Sequence, residues 1–341
     1  MSERIRWGIL ATGTIARHFV QDLRDLPDAE VVAVGSRSQE AADRFAAEYD
    51  IPRAYGTWQA LADDPDVDVV YIATPHSAHH PASLTCLRAG KAVLCEKPFT
   101  LDLAQAEELV TAARTGGVFL MEAMWMRFFP AIHTVCGLIA DGAIGDVTAV
   151  HADFGLSVAR RPEVQAPGNH SLSTPLDPTH RLRARELGGG ALLDLGVYPV
   201  TFAHLVLGAS DEIRSWAHLT AEGVDENTAM IFAYPSGAVA SLTCSLVGDS
   251  PRTATVTGTR GRIELPRNFY RPTYFTLTRD RAEPERIATP YDGLGYHFEA
   301  AEVHRCLREG MTESPVAPLA ETLAVMATLD AVREQIGVVY R

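Results

Sequence analysis

The sequence has little cysteine, no run of positive charge and no long uninterrupted apolar stretch. Its five cysteines (Cys86, Cys95, Cys136, Cys244 and Cys306) are odd in number and contain no CxxC pair. That excludes a disulfide framework and a Cys-based zinc site, and it fits reduced thiols in a cytoplasmic protein. Thirty Lys and Arg stand against 43 Asp and Glu, a formal net charge of −13. An acidic chain without a basic run is a poor partner for nucleic acid or an anionic membrane, though a phosphorylated cofactor needs only a local cation. No apolar run reads as a membrane span, and Met1-Ser2-Glu3-Arg4 lacks the regions of a signal peptide. Hydrophobic residues make up 47% of 341 residues, enough for more than one core. Two domains are expected, 1–122 and 123–341, with no flexible linker between them.

Cys95-Glu96-Lys97-Pro98 follows a buried-strand pattern at 91–94 and precedes a helix that Thr100 is expected to cap, over 102–115. A lysine at the carboxyl end of a parallel strand stands where open α/β sheets bind ligands, and proline restricts the backbone around it. The strand at 5–10 leads into Ala11-Thr12-Gly13-Thr14-Ile15-Ala16 and a helix with Phe19 and Leu23 at helical spacing. This is the strand–turn–helix context of the dinucleotide fingerprint G-x-G-x-x-G/A, with Gly13 open to a pyrophosphate and the helix N-terminus holding it. Ala11 replaces the first glycine, and alanine is expected to make this turn with negative φ. The second strand, 30–34, ends in Gly35-Ser36-Arg37-Ser38 rather than in the acid that bonds a ribose 2′-hydroxyl. Arg37 with Ser36 and Ser38 suits a 2′-phosphate and points to NADP(H) over NAD(H); Ser38 also suits the cap of a helix at 39–49.

Thr57 is expected to cap a short helix through 61. The apolar strand at 67–73 ends in Thr74-Pro75-His76-Ser77-Ala78-His79-His80, before a helix expected at 81–89. No carboxylate or cysteine accompanies these histidines, so a loop lining the cofactor site is read there and no metal. A last strand at 118–121 completes a βα alternation that implies a parallel doubly wound sheet.

After 122–130 the style changes. Helix 131–140 and a turn lead to a strand at 147–156. Residues 159–188, rich in Pro, His and Arg (Arg160, Arg161, His170, His180, Arg181, Arg183, Arg185), have the charge of a lid over a polar substrate or of a solvated excursion. In Gly188-Gly189-Gly190…Asp194…Tyr198 the acid and the phenol are four apart, on one face of a helix. Such a pair can hold a substrate hydroxyl and move a proton. Strands follow through 213–288, and helices at 297–309 and 319–336 close the pattern.

Together, the glycine turn at 11–16, Thr74-Pro75-His76 with His79, Glu96-Lys97-Pro98 and Gly188-Gly189-Gly190…Asp194…Tyr198 resemble the glucose-fructose oxidoreductase/inositol dehydrogenase family (Gfo/Idh/MocA) over essentially the whole chain. Residues 122–130 and 315–337 look most like its branch of dimeric trans-dihydrodiol dehydrogenases and NADP-dependent D-xylose dehydrogenases. The resemblance implies an N-terminal Rossmann domain with a parallel sheet and a C-terminal α/β domain with a large, mostly antiparallel open sheet that forms a homo-oligomer interface. It implies hydride transfer between NADP(H) and a carbinol carbon of a sugar, polyol or trans-dihydrodiol. Lys97, Asp194 and Tyr198 would be the catalytic residues, and Trp125 and His76 would wall the substrate pocket. Ala11, Thr12, Gly13, Thr14, Ile15, Ser36, Arg37, Ser38, Thr74, Pro75, His76, His79, Glu96 and Lys97 would meet the cofactor. A nucleotide-linked deoxysugar ketoreductase and a non-catalytic NADP(H) sensor are the alternatives on the same fold.

Overall fold

A computed structural model describes residues 4–158, 177 and 179–340. The chain divides into two compact units, one of residues 1–128 with 291–323 and one of 129–290 with 324–341. A single cut at 122/123 therefore differs from the packing. Residues 291–323 return to the first unit, where the helix over Tyr296–Arg308 packs on its first helix.

In the first unit the chain runs β1 (Ile5–Leu10), α1 (Thr14–Leu23), β2 (Ala29–Gly35), α2 (Gln39–Tyr49), β3 (Arg53–Tyr55), α3 (Trp58–Ala62), β4 (Val69–Ile72), α4 (His76–Arg88), β5 (Ala92–Glu96), α5 (Leu103–Gly116) and β6 (Leu120–Ala123), with a 3₁₀ turn at Trp125–Phe128. Its six parallel strands lie in the order β3-β2-β1-β4-β5-β6. That is the doubly wound dinucleotide-binding order, whose switch point falls between β1 and β4. Every residue of β4, β5 and β6 is buried. Helices cover such strands on both faces, so they read as continuous apolar runs. Phe19 of α1 stacks on Tyr71 of β4 at 3.7 Å between ring centroids.

Local chemistry fixes several helix starts. The Ser38 hydroxyl accepts from the Ala41 N–H and the Thr57 hydroxyl from the Ala60 N–H, as expected of caps. Two starts differ from expectation. Asp102, not Thr100, caps α5, because its carboxylate reaches the Gln105 N–H at 2.9 Å while the Thr100 hydroxyl donates to the Asp102 carbonyl. Helix α4 begins at His76, five residues before Pro81, so the histidines form its first turns rather than a loop. Pro81 costs that helix one backbone bond, to the carbonyl of Ser77.

The second unit holds α6 (Pro130–Ala140), β7 (Val147–Gly155), a 3₁₀ turn (Arg185–Leu187), a π turn (Leu192–Gly196), α7 (Val197–Leu207), β8 (Glu212–Leu219), β9 (Asp225–Ala233), β10 (Val239–Ser245), β11 (Ala254–Gly258), β12 (Gly261–Leu265), β13 (Tyr274–Arg279) and β14 (Glu285–Ala288). Helix α8 (Tyr296–Arg308) belongs to the first unit, and α9 (Leu319–Ile336) starts there and continues into the second. The eight strands lie in the order β14-β13-β12-β11-β7-β10-β9-β8, antiparallel except for β7 with β10. Burial alternates along β8, β9 and β10. One face packs Phe154, Met230, Phe232, Leu242 and Cys244 inward, and Trp216, Ile231 and Val239 are exposed. The helical run Arg185–Leu207 is apolar and long enough to cross a membrane, a run that sequence reading passed over. Of its most apolar window 78% is buried inside this unit, as in a core helix.

Candidate active site

The expected cofactor residues of the first unit all stand at the carboxyl ends of its strands. Ala11–Ile15 follow β1, Ser36–Ser38 follow β2, Thr74–His79 follow β4, and Glu96 ends β5 with Lys97 next; Trp125, expected at the substrate pocket, follows β6. At the first turn Ala11 has φ 105°, so the position keeps the left-handed backbone that glycine supplies elsewhere, against the expectation of negative φ. Gly13 caps α1 with no side-chain partner, and a Cβ built on it would meet nothing within 4 Å. The first N–H groups of α1 are thus open to an anion, with no acid in the first turn to repel it. Past β2, Arg37 is exposed and has no ion pair among the described residues. The Ser36 hydroxyl accepts from the Ser38 N–H at 3.4 Å. These residues fit a dinucleotide: an uncapped helix end for its pyrophosphate, and a free cation with hydroxyls beyond β2.

His79 ties two of the loops together. Its Nδ1 lies 2.8 Å from the Pro98 carbonyl oxygen and its Nε2 2.9 Å from that of Thr74. Burial, with His76 beside it, lowers its pKa to about 3, so the ring is neutral at physiological pH. The ring of His76 lies 5.7 Å away. His80 turns outward to Glu108 on α5. Among the described residues no three His, Cys, Asp or Glu side chains converge as metal ligands.

The peptide bond between Lys97 and Pro98 is cis. The Lys97 N–H donates to Glu96 Oε2 at 3.0 Å, and the Tyr71 phenol donates to Glu96 Oε1. Two further buried acids lie within electrostatic reach of Glu96. Glu122 accepts from the Thr322 hydroxyl at 3.1 Å, and burial pushes it up to about 7 against the pull of Arg127. Glu299 of α8 is fully buried with no hydrogen-bond partner on either oxygen among the described residues, and burial raises it well above the carboxylate range. Trp125 lies flat on Tyr296, 4.4 Å between centroids.

In the second unit the expected acid and phenol occupy one helical run but not one regular helix. Asp194 sits in the π turn and Tyr198 in the first turn of α7. The π turn interrupts the regular α geometry that the spacing of four presumes, while both positions stay within one continuous helical run. Asp194 is buried and pairs with Arg181 at 3.1 Å. The Tyr198 ring meets Phe154 and Tyr270, each at 5.2 Å, and these two stack at 4.6 Å. Sequence reasoning missed both aromatics; Phe154 fell inside an expected strand, and nothing local marks Tyr270.

Of the arginine-rich stretch, Arg160, Arg161 and His170 lie outside the described residues. Arg183 pairs with Glu222 at 2.7 Å and Arg185 donates to the Val339 carbonyl.

The fold and site define an NAD(P)-binding Rossmann oxidoreductase. The description "Oxidoreductase family, NAD-binding Rossmann fold" matches residues 5–124, and the GFO/IDH/MocA C-terminal domain matches residues 132–264. The chain belongs to the GFO/IDH/MocA family. It is 39% identical to the trans-1,2-dihydrobenzene-1,2-diol dehydrogenase of Mus musculus, over 98% of both chains. To the Homo sapiens enzyme of the same name it is 38% identical, again over 98% of each. Among solved structures it resembles KijD10, a 3-ketoreductase from Actinomadura kijaniata in complex with NADP and TDP-benzene. The TM-score there is 0.82, at 28% identity over 98% of both chains. It shares its fold with the aldose-aldose oxidoreductase of Caulobacter crescentus, with a TM-score of 0.84 at 24% identity, covering 98% of this chain and 97% of that one.

Proposed function

We propose that this protein is an NADP(H)-dependent dehydrogenase that oxidises a secondary alcohol of a trans-dihydrodiol, pentose or related polyol. The observation that carries the cofactor choice is Arg37, exposed and without an ion pair among the described residues, where an acid would otherwise bond a ribose 2′-hydroxyl. The 38–39% identity to dihydrodiol dehydrogenases supports the substrate class.

A bound NADP(H) would supply hydride chemistry at its nicotinamide. Ala11–Ile15 and the α1 N-terminus hold its phosphates; Ser36, Arg37 and Ser38 hold the 2′-phosphate; Thr74, Pro75, His76, His79 and Glu96 shape the loops around it. Tyr198 is the general acid/base on the reacting oxygen. An unperturbed phenol titrates near pH ~10, and Lys97 is assigned to supply positive charge to the reaction. Asp194 accepts from a second substrate hydroxyl, and Trp125 and His76 bound the apolar side of the pocket. The first unit, 1–128 with 291–323, carries the cofactor, and the second, 129–290 with 324–341, the substrate. The second unit's exposed Trp216, Ile231 and Val239 mark the face through which two copies associate. The odd number of cysteines, with no CxxC pair, supports a cytoplasmic location.

A second reading, a ketoreductase for a nucleotide-linked sugar, draws on the likeness to KijD10. Arg181, Arg183 and Arg185 all have internal partners, which disfavours a phosphate on them.

The test is nicotinamide absorbance with NADP and, separately, NAD against aldoses, inositols, trans-dihydrodiols and nucleotide sugars. NADP-linked turnover of a dihydrodiol or pentose is expected. A loss of about 10²–10⁴ in turnover is expected for Tyr198→Phe, and Lys97→Met should also lose turnover. Full turnover in both, or a clear preference for NAD, overturns the corresponding part.

A further inference from the structure

The turn that launches the Asp194–Tyr198 run is held by residues far away in sequence. Gly188 and Gly190 have φ of 76° and 116°. A Cβ on Gly189 would come within 2.7 Å of the Leu182 carbonyl oxygen, and one on Gly190 within 2.3 Å of Asp225 Oδ1. The glycines are therefore enclosed by backbone and by a buried carboxylate. Asp225 Oδ2 accepts from the Leu192 N–H at 2.8 Å and from the Thr228 hydroxyl at 2.6 Å, which seats the first N–H of the π turn.

One group of this turn is satisfied from the segment after α9. The Tyr340 phenol donates to the Gly189 carbonyl at 2.6 Å. In return, Arg185, three residues before Gly188, donates from Nε to the Val339 carbonyl. The Arg333 guanidinium lies over the Tyr340 ring, 5.4 Å from its centroid. The two bonds run in opposite directions between the same two segments and form a clasp across some 150 residues of sequence.

We infer that Tyr340 is a positioning residue: through the Gly189 carbonyl it sets where the helical run carrying Asp194 and Tyr198 begins. The inference rests on the catalytic role proposed for Tyr198. A helix start displaced by an ångström carries its side chains with it, and a misplacement of ~1 Å can cost about 10²-fold in rate. Tyr340 touches no reacting atom; it acts only through the backbone it holds.

Tyr340→Phe tests this, because it keeps the ring under Arg333 and removes only the donor. Amide hydrogen exchange across 189–198 is expected to quicken. NADP-linked kcat is expected to fall about ten-fold, with KM for NADP and the NADPH dissociation constant unchanged. Arg185→Gln should do the same, and the double variant should add little, since both open one clasp. Unchanged exchange overturns the inference. So does a kcat within two-fold of wild type in a protein whose Tyr198→Phe variant is inactive. If Tyr198→Phe retains full turnover, the proposed catalytic role falls, and the exchange experiment alone then decides the clasp. Should Tyr340→Phe unfold, Arg185→Gln with the same two readouts decides it.

Discussion

Two turns in this protein use the left-handed backbone at nearly the same angle, Ala11 at φ 105° and Gly190 at φ 116°. Each opens a helical run to which a function is assigned above: α1 with its uncapped N-terminus, and the π turn and α7 with Asp194 and Tyr198. At Gly190 the space of a Cβ is taken by the Asp225 carboxylate, so the position needs glycine twice over, for conformation and for room. At Ala11 only the conformation is demanding, and the chain carries the strain of an alanine there. Strain tolerated at a ligand loop and excluded at a packed turn suggests that the first site answers to its ligand and the second to its packing.

Filling the packed turn should give the largest effect. Gly190→Ala adds backbone strain and drives a Cβ into a buried carboxylate, for an expected loss of about 4 kcal/mol by urea unfolding. Asp225→Ala comes next, since it strands the Leu192 N–H and the Thr228 hydroxyl, at about 3 kcal/mol. The two changes share one space. The double variant should lose clearly less than the sum, and strict additivity would break the claim that Asp225 is what excludes the methyl.

Asp225 also sharpens the contrast through pH. Burial pushes its carboxyl up from 3.8 to about 6, against the hydrogen bonds from Thr228 and the backbone of 191 and 192. The neighbouring Cys244 and Tyr340 are both raised well above their ordinary values and stay neutral in acid. The Arg333 guanidinium faces the Tyr340 ring. The folded protein binds the proton more tightly than the unfolded chain. Its contribution is therefore fully present below pH ~4 and declines as pH rises through about 6, by up to about 3 kcal/mol. Asp28, Asp64, Asp68 and Glu302 are lowered and slope the other way. The difference between wild type and Asp225→Asn isolates the term. A stability difference that is flat from pH 4 to 7 would mean that Asp225 is ionised and solvated.

These features differ in how far the sequence announces them. The parallel, doubly wound character of the first sheet, its carboxyl-edge residues and the Ser38 and Thr57 caps were legible, because a strand, a turn and a helix start are written within a few residues of one another. The identity of the α5 cap was not: Thr100 and Asp102 are both good caps, and the choice depends on which oxygen reaches the third N–H beyond it. The Asp194–Tyr198 spacing was legible as a helical run, but the extra residue of the π turn was not, since it is imposed by glycines packed against a neighbouring strand; Gly196 sits so close that a Cβ would lie 2.9 Å from the Cys244 sulfur. Asp225, Glu299, Tyr270 and Tyr340 gave no signal. Their partners lie tens to hundreds of residues away, and long-range pairing leaves no local pattern.

The smallest effect falls on the strained turn. Ala11→Gly relieves a conformation that costs an alanine about 1–3 kcal/mol. It also gives the unfolded chain the extra freedom of glycine, worth about 0.5–1 kcal/mol. The net expectation is a gain of about 1 kcal/mol, read as a higher urea midpoint at unchanged slope. A midpoint that falls instead would mean that the methyl packs well enough to outweigh its own strain. Ala11 would then resemble a core residue rather than a tolerated misfit, and the two turns would differ in packing alone. NADPH affinity distinguishes the cases further. If the strain serves the ligand, Ala11→Gly should bind more weakly while folding more stably, because the freed backbone must be ordered again on binding.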